Sequence, residues 1–115
     1  MLLSTTPTVE GKKIKEYRGI VFGEVVNGID FIKDFTTRIT NTIGGRADDL
    51  EQEIVDTRAD AITEMSDRAQ KIGANAVVGI TITYEPIVTN GGSNGHVSSN
   101  TMMMVVASGT AVVVE

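Results

Sequence analysis

The sequence contains no cysteine. That excludes disulfides, thiolate metal sites, iron–sulfur clusters and a cysteine nucleophile. It holds a single histidine, His96, so one chain cannot build a multi-histidine zinc or di-iron site. Cations are in deficit, with ten Lys and Arg against fifteen Asp and Glu and a net charge of −5. A protein that tracks phosphates needs a basic stripe, so nucleic acid is not an expected partner. The longest unbroken apolar run, Met102 to Ala107, falls far short of the ~20 residues that span a bilayer. The opening Met1-Leu-Leu-Ser-Thr-Thr-Pro7 has neither the basic stretch nor the apolar core of a signal peptide. The expectation is a soluble, cytoplasmic protein with no membrane partner. A Gly-x-Ser-x-Gly elbow is also missing, which leaves nucleophilic catalysis with little support.

What is present reads as one globular domain over residues 1–115, with 41% hydrophobic and 22% charged residues. Residues 1–13 are turn-rich, and Leu2 and Leu3 could open a short strand. Residues 14–26 carry the first strong strand signal, with Ile20, Phe22 and Glu24 on one face and Val21, Gly23 and Val25 on the other. Asn27-Gly28 marks a turn. Residues 29–43 place Ile29, Phe31, Ile32, Phe35, Ile39 and Ile43 at near-helical spacing, and an amphipathic helix fraying towards Gly44-Gly45 is expected. Residues 47–73 predict a long amphipathic helix. Leu50, Ile54, Ala61, Met65, Ala69 and Ile72 form its apolar side, and Gly73 follows the end as a C′ residue. Residues 76–85 alternate, with Ala76, Val78, Ile80, Ile82 and Tyr84 on one face. Residues 89–100 read as a polar Gly/Ser/Asn loop. The last strand, 101–115, carries Met102, Met104, Val106, Val112 and Val114 on one face and Met103, Val105, Ala107, Ala111 and Val113 on the other.

This order implies an α+β fold: a small antiparallel sheet packed on one long helix, with residues 76–85 and 101–115 as a hairpin. One helix covers only one face of a sheet, yet the first and last strands are apolar on both faces. A second subunit is the expected cover for the remaining face. The alternative is cover from within the chain, by residues 29–43 and the N-terminal segment.

Several residues are candidates for chemistry. Gly44-Gly45-Arg46 opens the long helix and could cradle an anion, although Asp48 and Asp49 would repel one; the simpler reading is a tight turn with Arg46 at an interface. Arg58 falls between Ile54 and Ile62 inside the apolar sector, where a guanidinium needs a partner. Glu24, on an otherwise apolar strand face, is the candidate partner, within the chain or across an interface. An enzyme with an intersubunit site would draw on Arg58, Glu24 and Glu16. Asp49, Glu53, Asp56, Asp60, Glu64 and Asp67 share a sector of about 80° on the helix. They are a solvated face or, at a pore, a divalent-cation site of the Ca²⁺ or Mg²⁺ type, with Asp49, Glu53, Asp56 and Asp60 as its metal candidates. His96 stands alone in the loop. The sulfurs of Met102, Met103 and Met104 point alternately, so the three cannot converge on one ion within a subunit, and core filling or interface packing is the expected role of the run.

Short blocks along nearly the whole chain resemble the YbjQ-like family of small bacterial and archaeal proteins, labelled as heavy-metal-binding. They are Ser4-Thr-Thr-Pro-Thr-Val-Glu-Gly11, Glu16-Tyr17 with Gly19-Ile-Val21, Gly23-Glu24, Asp34-Phe35, Gly44-Gly45-Arg46, Arg58-Ala59, Gly73-Ala-Asn-Ala-Val-Val-Gly-Ile80 and Ser108-Gly-Thr-Ala111. The resemblance implies a dodecin-subunit-like fold and a ring-shaped homo-oligomer, a pentamer, with no settled reaction. Two departures bear on the metal label. Ala47-Asp48-Asp49-Leu50 stands where family members carry Ser-Gly and an aromatic residue, and Arg18 stands where some carry a cysteine. The functional expectation is a non-enzymatic homo-oligomer that binds a divalent metal or small ligand between subunits, or a ligand-free scaffold.

Overall fold

Residues 48–71 contain no glycine or proline and place acids at the start and Arg68 and Lys71 in the last turn, both favourable to the helix dipole. They form one helix, α1 (Asp48–Lys71). Gly73, at φ 86°, turns the chain out of it. The Ala74 N–H donates to the Ala69 carbonyl and the Gly73 N–H to the Gln70 carbonyl, closing a Schellman cap. Thr57, Ala61, Met65 and Ala69 recur every fourth residue and are all buried. Ile72, expected on the apolar side, lies beyond the last turn and is exposed.

The computed structural model describes residues 1–27, 48–93 and 96–115, with the backbone alone at 48–50, 88–93 and 96–101. The expected helix over 29–43 lies outside the described residues. Around α1 stand four strands: β1 (Leu2–Leu3), β2 (Ile14–Asn27), β3 (Ala76–Ser93) and β4 (His96–Val114), in the sheet order β1-β3-β4-β2. β3 and β4 form the expected hairpin, and β2 adds antiparallel to β4. The sheet is mixed rather than wholly antiparallel, because β1 pairs parallel with the start of β3.

α1 packs on one face over β2 and β4. Beneath it Val21, Val77, Ile80, Val105, Ala107 and Ala111 meet Ala61, Met65 and Ala69 in one core. Small residues set this approach: a Cβ on Gly23 would lie 1.9 Å from the Ala61 carbonyl oxygen. Buried Thr57 donates to the Glu53 carbonyl and accepts from the Asn27 amide, which ties the helix to the end of β2. On the opposite face Leu2, Val9 and Ile14 pack over Ala76, Val78, Val112 and Val114. The N-terminal segment therefore covers part of the second face, one half of the intramolecular alternative; cover by residues 29–43 lies outside the described residues.

Two expectations about the strands are corrected. Ala76 and Val78 do not share a face with Ile80 and Ile82. The register slips between Val78 and Thr81, where Gly79 adopts φ 62°, and this bulge swaps the two faces beyond it. The polar stretch 89–100 is not all loop: β3 runs to Ser93 and β4 starts at His96. A two-stranded ribbon is held by backbone hydrogen bonds, so Gly, Ser and Asn can continue a ladder without an apolar face to bury. At ~3.4 Å per residue β3 is about 60 Å long, against about 36 Å for the helix at 1.5 Å per residue. One helix cannot roof the whole hairpin.

Candidate functional site

Strand alternation and one bulge place Tyr17, Ile20, Phe22, Glu24 and Val26 on the face of β2 turned away from α1. Tyr17 lies opposite Val112, and the register then slips at Gly19 so that Ile20 lies opposite Thr110, Phe22 opposite Ser108 and Val26 opposite Met104. Tyr17 and Ile20 are 73% and 72% exposed, and Phe22 and Val26 45% and 49%. On the same face of β4, Met102, Met104 and Val106 are half-buried. Further across, Thr81 and Ser108 share a hydrogen bond at 3.1 Å. The N-terminal segment leaves this part of the face open. It is the largest concentration of exposed apolar side chains among the described residues.

The edge of this strip is closed by a cation from the helix side. Arg68 Nη1 reaches round β2 to donate to the Phe22 carbonyl and to Glu24 Oε2, both at 2.7 Å, while Nη2 donates to Glu64. The hydrogen bond with Glu24 outweighs desolvation and, with the attraction of both carboxylates, holds the Arg68 guanidinium above its usual value. Within the chain, then, Glu24 pairs with Arg68 and not with Arg58. The reason is helical geometry, since ten residues rotate a side chain by about 80° around the axis, enough to move it from the sheet side to the β2 edge. Arg58 does point to the sheet, half-buried, and its Nη1 donates to the Tyr84 hydroxyl at 3.4 Å. The signal for Arg68 was present in the sequence as a Glu64–Arg68 pair at i, i+4 spacing.

The other candidates are dispersed. Glu16 pairs with Arg18 at 2.6 Å. The Arg18 guanidinium lies over Gly73, next to the negative end of the helix dipole. Glu24, Arg58 and Glu16 thus have three different partners and do not converge on one another within a chain. Arg46 lies outside the described residues, as do the side chains of Asp49 and His96. Asp56 accepts a hydrogen bond from Gln52 at 2.9 Å, and Asp60 is exposed. Glu53 is half-buried on the same helix.

Donor chemistry decides whether a metal fits. Among the described residues, no three His, Asp or Glu groups come together to hold an ion. Carboxylates suit hard cations in any case, whereas soft heavy metals select sulfur. In a chain without cysteine the sulfur donors are thioethers, and the strand brings Met102 and Met104 to the open face while Met103 packs towards the helix core. Among the described residues no helix is long and apolar enough to cross a membrane.

The model of a family described as "Putative heavy-metal-binding" matches residues 1–115. A UPF0145 protein of Clostridium botulinum is 50% identical over 115 residues, covering the whole of both chains. UPF0145 proteins of Acetivibrio thermocellus and Listeria welshimeri are each 49% identical over the whole chain, covering 100% and 96% of their own lengths. A crystal structure of a DUF74 family protein of unknown function from Pediococcus pentosaceus has a similar fold. Its TM-score is 0.53 at 14% identity, with 100% of this chain and 98% of that one covered.

Proposed function

From the chain's membership of the YbjQ family, to which it belongs over its full length, we propose that it is the subunit of a ring-shaped homo-oligomer that binds a metal ion or small ligand between subunits. One observation carries the reading: Tyr17, Ile20, Phe22 and Val26 line a strip of β2 that α1 and the N-terminal segment leave uncovered. Exposed apolar surface costs roughly 25 cal/mol for each Å² left in water, and a second copy seated on the strip removes that cost. Two further observations agree with it. Glu24, Glu16 and Arg58 are occupied with separate partners, so no reactive cluster assembles from these candidates inside one chain. Among the described residues no three carboxylate or imidazole groups come together for a metal, which is consistent with a site shared between copies. The ring size, a pentamer, follows the family resemblance.

The reading is tested by sedimentation velocity on the wild type and on Phe22→Lys and Ile20→Lys. Both side chains are exposed in the single chain, so neither change disturbs the core. The wild type sediments as an oligomer and both variants as folded monomers or smaller species with unchanged far-UV circular dichroism. Variants that keep the wild-type sedimentation coefficient would place the subunit contact elsewhere.

A further inference from the structure

We propose that Met102 and Met104 are a thioether site for a soft monovalent cation of the Cu⁺ or Ag⁺ type, completed by a neighbouring copy. The inference rests on the self-assembly reading above and names the ligand class. It starts from donor availability. The chain has five methionines and no cysteine, and soft cations prefer sulfur over the carboxylates that dominate this surface. Met65 is fully buried and Met103 packs against the helix core, so neither sulfur is available, and the exposed Met1 precedes β1, which pairs with the opposite end of β3 from Met102. Met102 and Met104 are half-buried on the open face of β4. Met104 lies opposite Val26 on β2, and Met102 opposite Ile87 on β3.

Their spacing suits a shared ion. Residues two apart on a strand point the same way with Cα atoms about 7 Å apart, and three rotatable bonds let both thioethers swing to one point. Val26 and Val106 flank Met104; of the carboxylates on this face, Glu24 is tied to Arg68 and Glu85 stands opposite Met104 on β3, so the selection of a soft cation rests on the thioethers themselves. Two thioethers do not fill a coordination shell. A second copy docked on the same strip brings further donors and excludes water, so the site is incomplete in a lone chain.

The test uses Ag⁺, which is soft and does not change oxidation state. Isothermal titration of the full-length protein with silver nitrate in chloride-free buffer is run on the wild type, on Met102→Leu/Met104→Leu and on Met103→Leu, each with a parallel sedimentation run. Leucine conserves volume and apolarity, so the fold and the docking strip persist. The wild type and Met103→Leu bind up to one Ag⁺ per chain, and the double variant binds at least tenfold more weakly while keeping its sedimentation coefficient. Magnesium and calcium show no methionine-dependent heat. Unchanged Ag⁺ binding in an assembled double variant would overturn the site and leave the assembly reading standing. A monomeric wild type whose Ag⁺ binding still depends on Met102 and Met104 would overturn the completion of the site by a neighbouring copy, and with it the assembly reading.

Discussion

Gly23 is the point where helix and sheet come closest, and Gly23→Ala tests the packing that creates the open face. The added Cβ would fall 1.9 Å from the Ala61 carbonyl oxygen and 2.7 Å from the Met65 amide nitrogen. Both are backbone atoms, so no side chain can swing aside. To restore an ordinary carbon–oxygen contact of about 3.3 Å, the helix has to retreat by roughly 1.4 Å. A gap of 0.5–1 Å already forfeits about a quarter to a half of each dispersion contact. The contacts at risk are those of Ala61, Met65 and Ala69, all fully buried. Overpacking of this kind costs about 1–3 kcal/mol and sometimes more, and a clash with backbone belongs at the upper end. For a chain this size, about 3 kcal/mol lowers the thermal midpoint by roughly 10–15 °C. The assay is thermal and urea unfolding followed by circular dichroism at one fixed protein concentration, since the proposed assembly would make the midpoint concentration-dependent. Gly79→Ala is the control. It has φ 62° and nothing within 4 Å of the added carbon, so it bears only the backbone cost of about 1–2 kcal/mol. A Gly23→Ala variant that loses less than Gly79→Ala would refute the close approach of helix and sheet.

Two further predictions concern the ends and edge of the sheet. Asn75 uses its side-chain amide both to accept from the Val114 N–H at 2.8 Å and to donate to the Val114 carbonyl at 2.9 Å, so Asn75→Ala should cost about 1–3 kcal/mol in urea unfolding. It should also raise amide exchange at the C-terminal end of β4, and unchanged exchange there would contradict that role. Arg68→Ala frees the Phe22 carbonyl and Glu24 at the β2 edge. Because these groups are exposed, the drop in thermal midpoint should be smaller than for Gly23→Ala and should shrink in high salt. A large, salt-independent drop would mean that the arginine is held by packing instead.

Much of the fold was legible in the sequence because its signals are local. The helix stands at Asp48–Lys71 against an expected 47–73, since charge bias, a four-residue apolar row and Gly73 all act within one or two turns. The hairpin and the two apolar faces of β4 followed from alternation alone. The bulge at Gly79 was not legible. A glycine in a strand signals a possible bulge without saying whether the faces swap, and here they do. The continuation of the ladder through polar residues was hidden for a related reason: composition records side chains, whereas a ribbon is held by its backbone. At the site, the sequence offers Glu24 as the partner of Arg58, whereas the structure pairs Glu24 with Arg68. Choosing Arg68 over Arg58 required the rotation of the helix on the sheet, which is a tertiary quantity. That α1 leaves the second face to another cover was foreseeable, because one helix cannot cover two faces; how much of it the N-terminal segment hides was not.

The central claim is that this chain completes its fold and its binding site by joining copies of itself. Native mass spectrometry of untagged protein, purified gently and without chelators, tests that most directly. The account predicts one oligomeric species, a pentamer, with retained mass that leaves when the ring is activated into monomers. A bare monomer at micromolar concentration would contradict it and would require the strip from Tyr17 to Val26 to be covered from within a single chain.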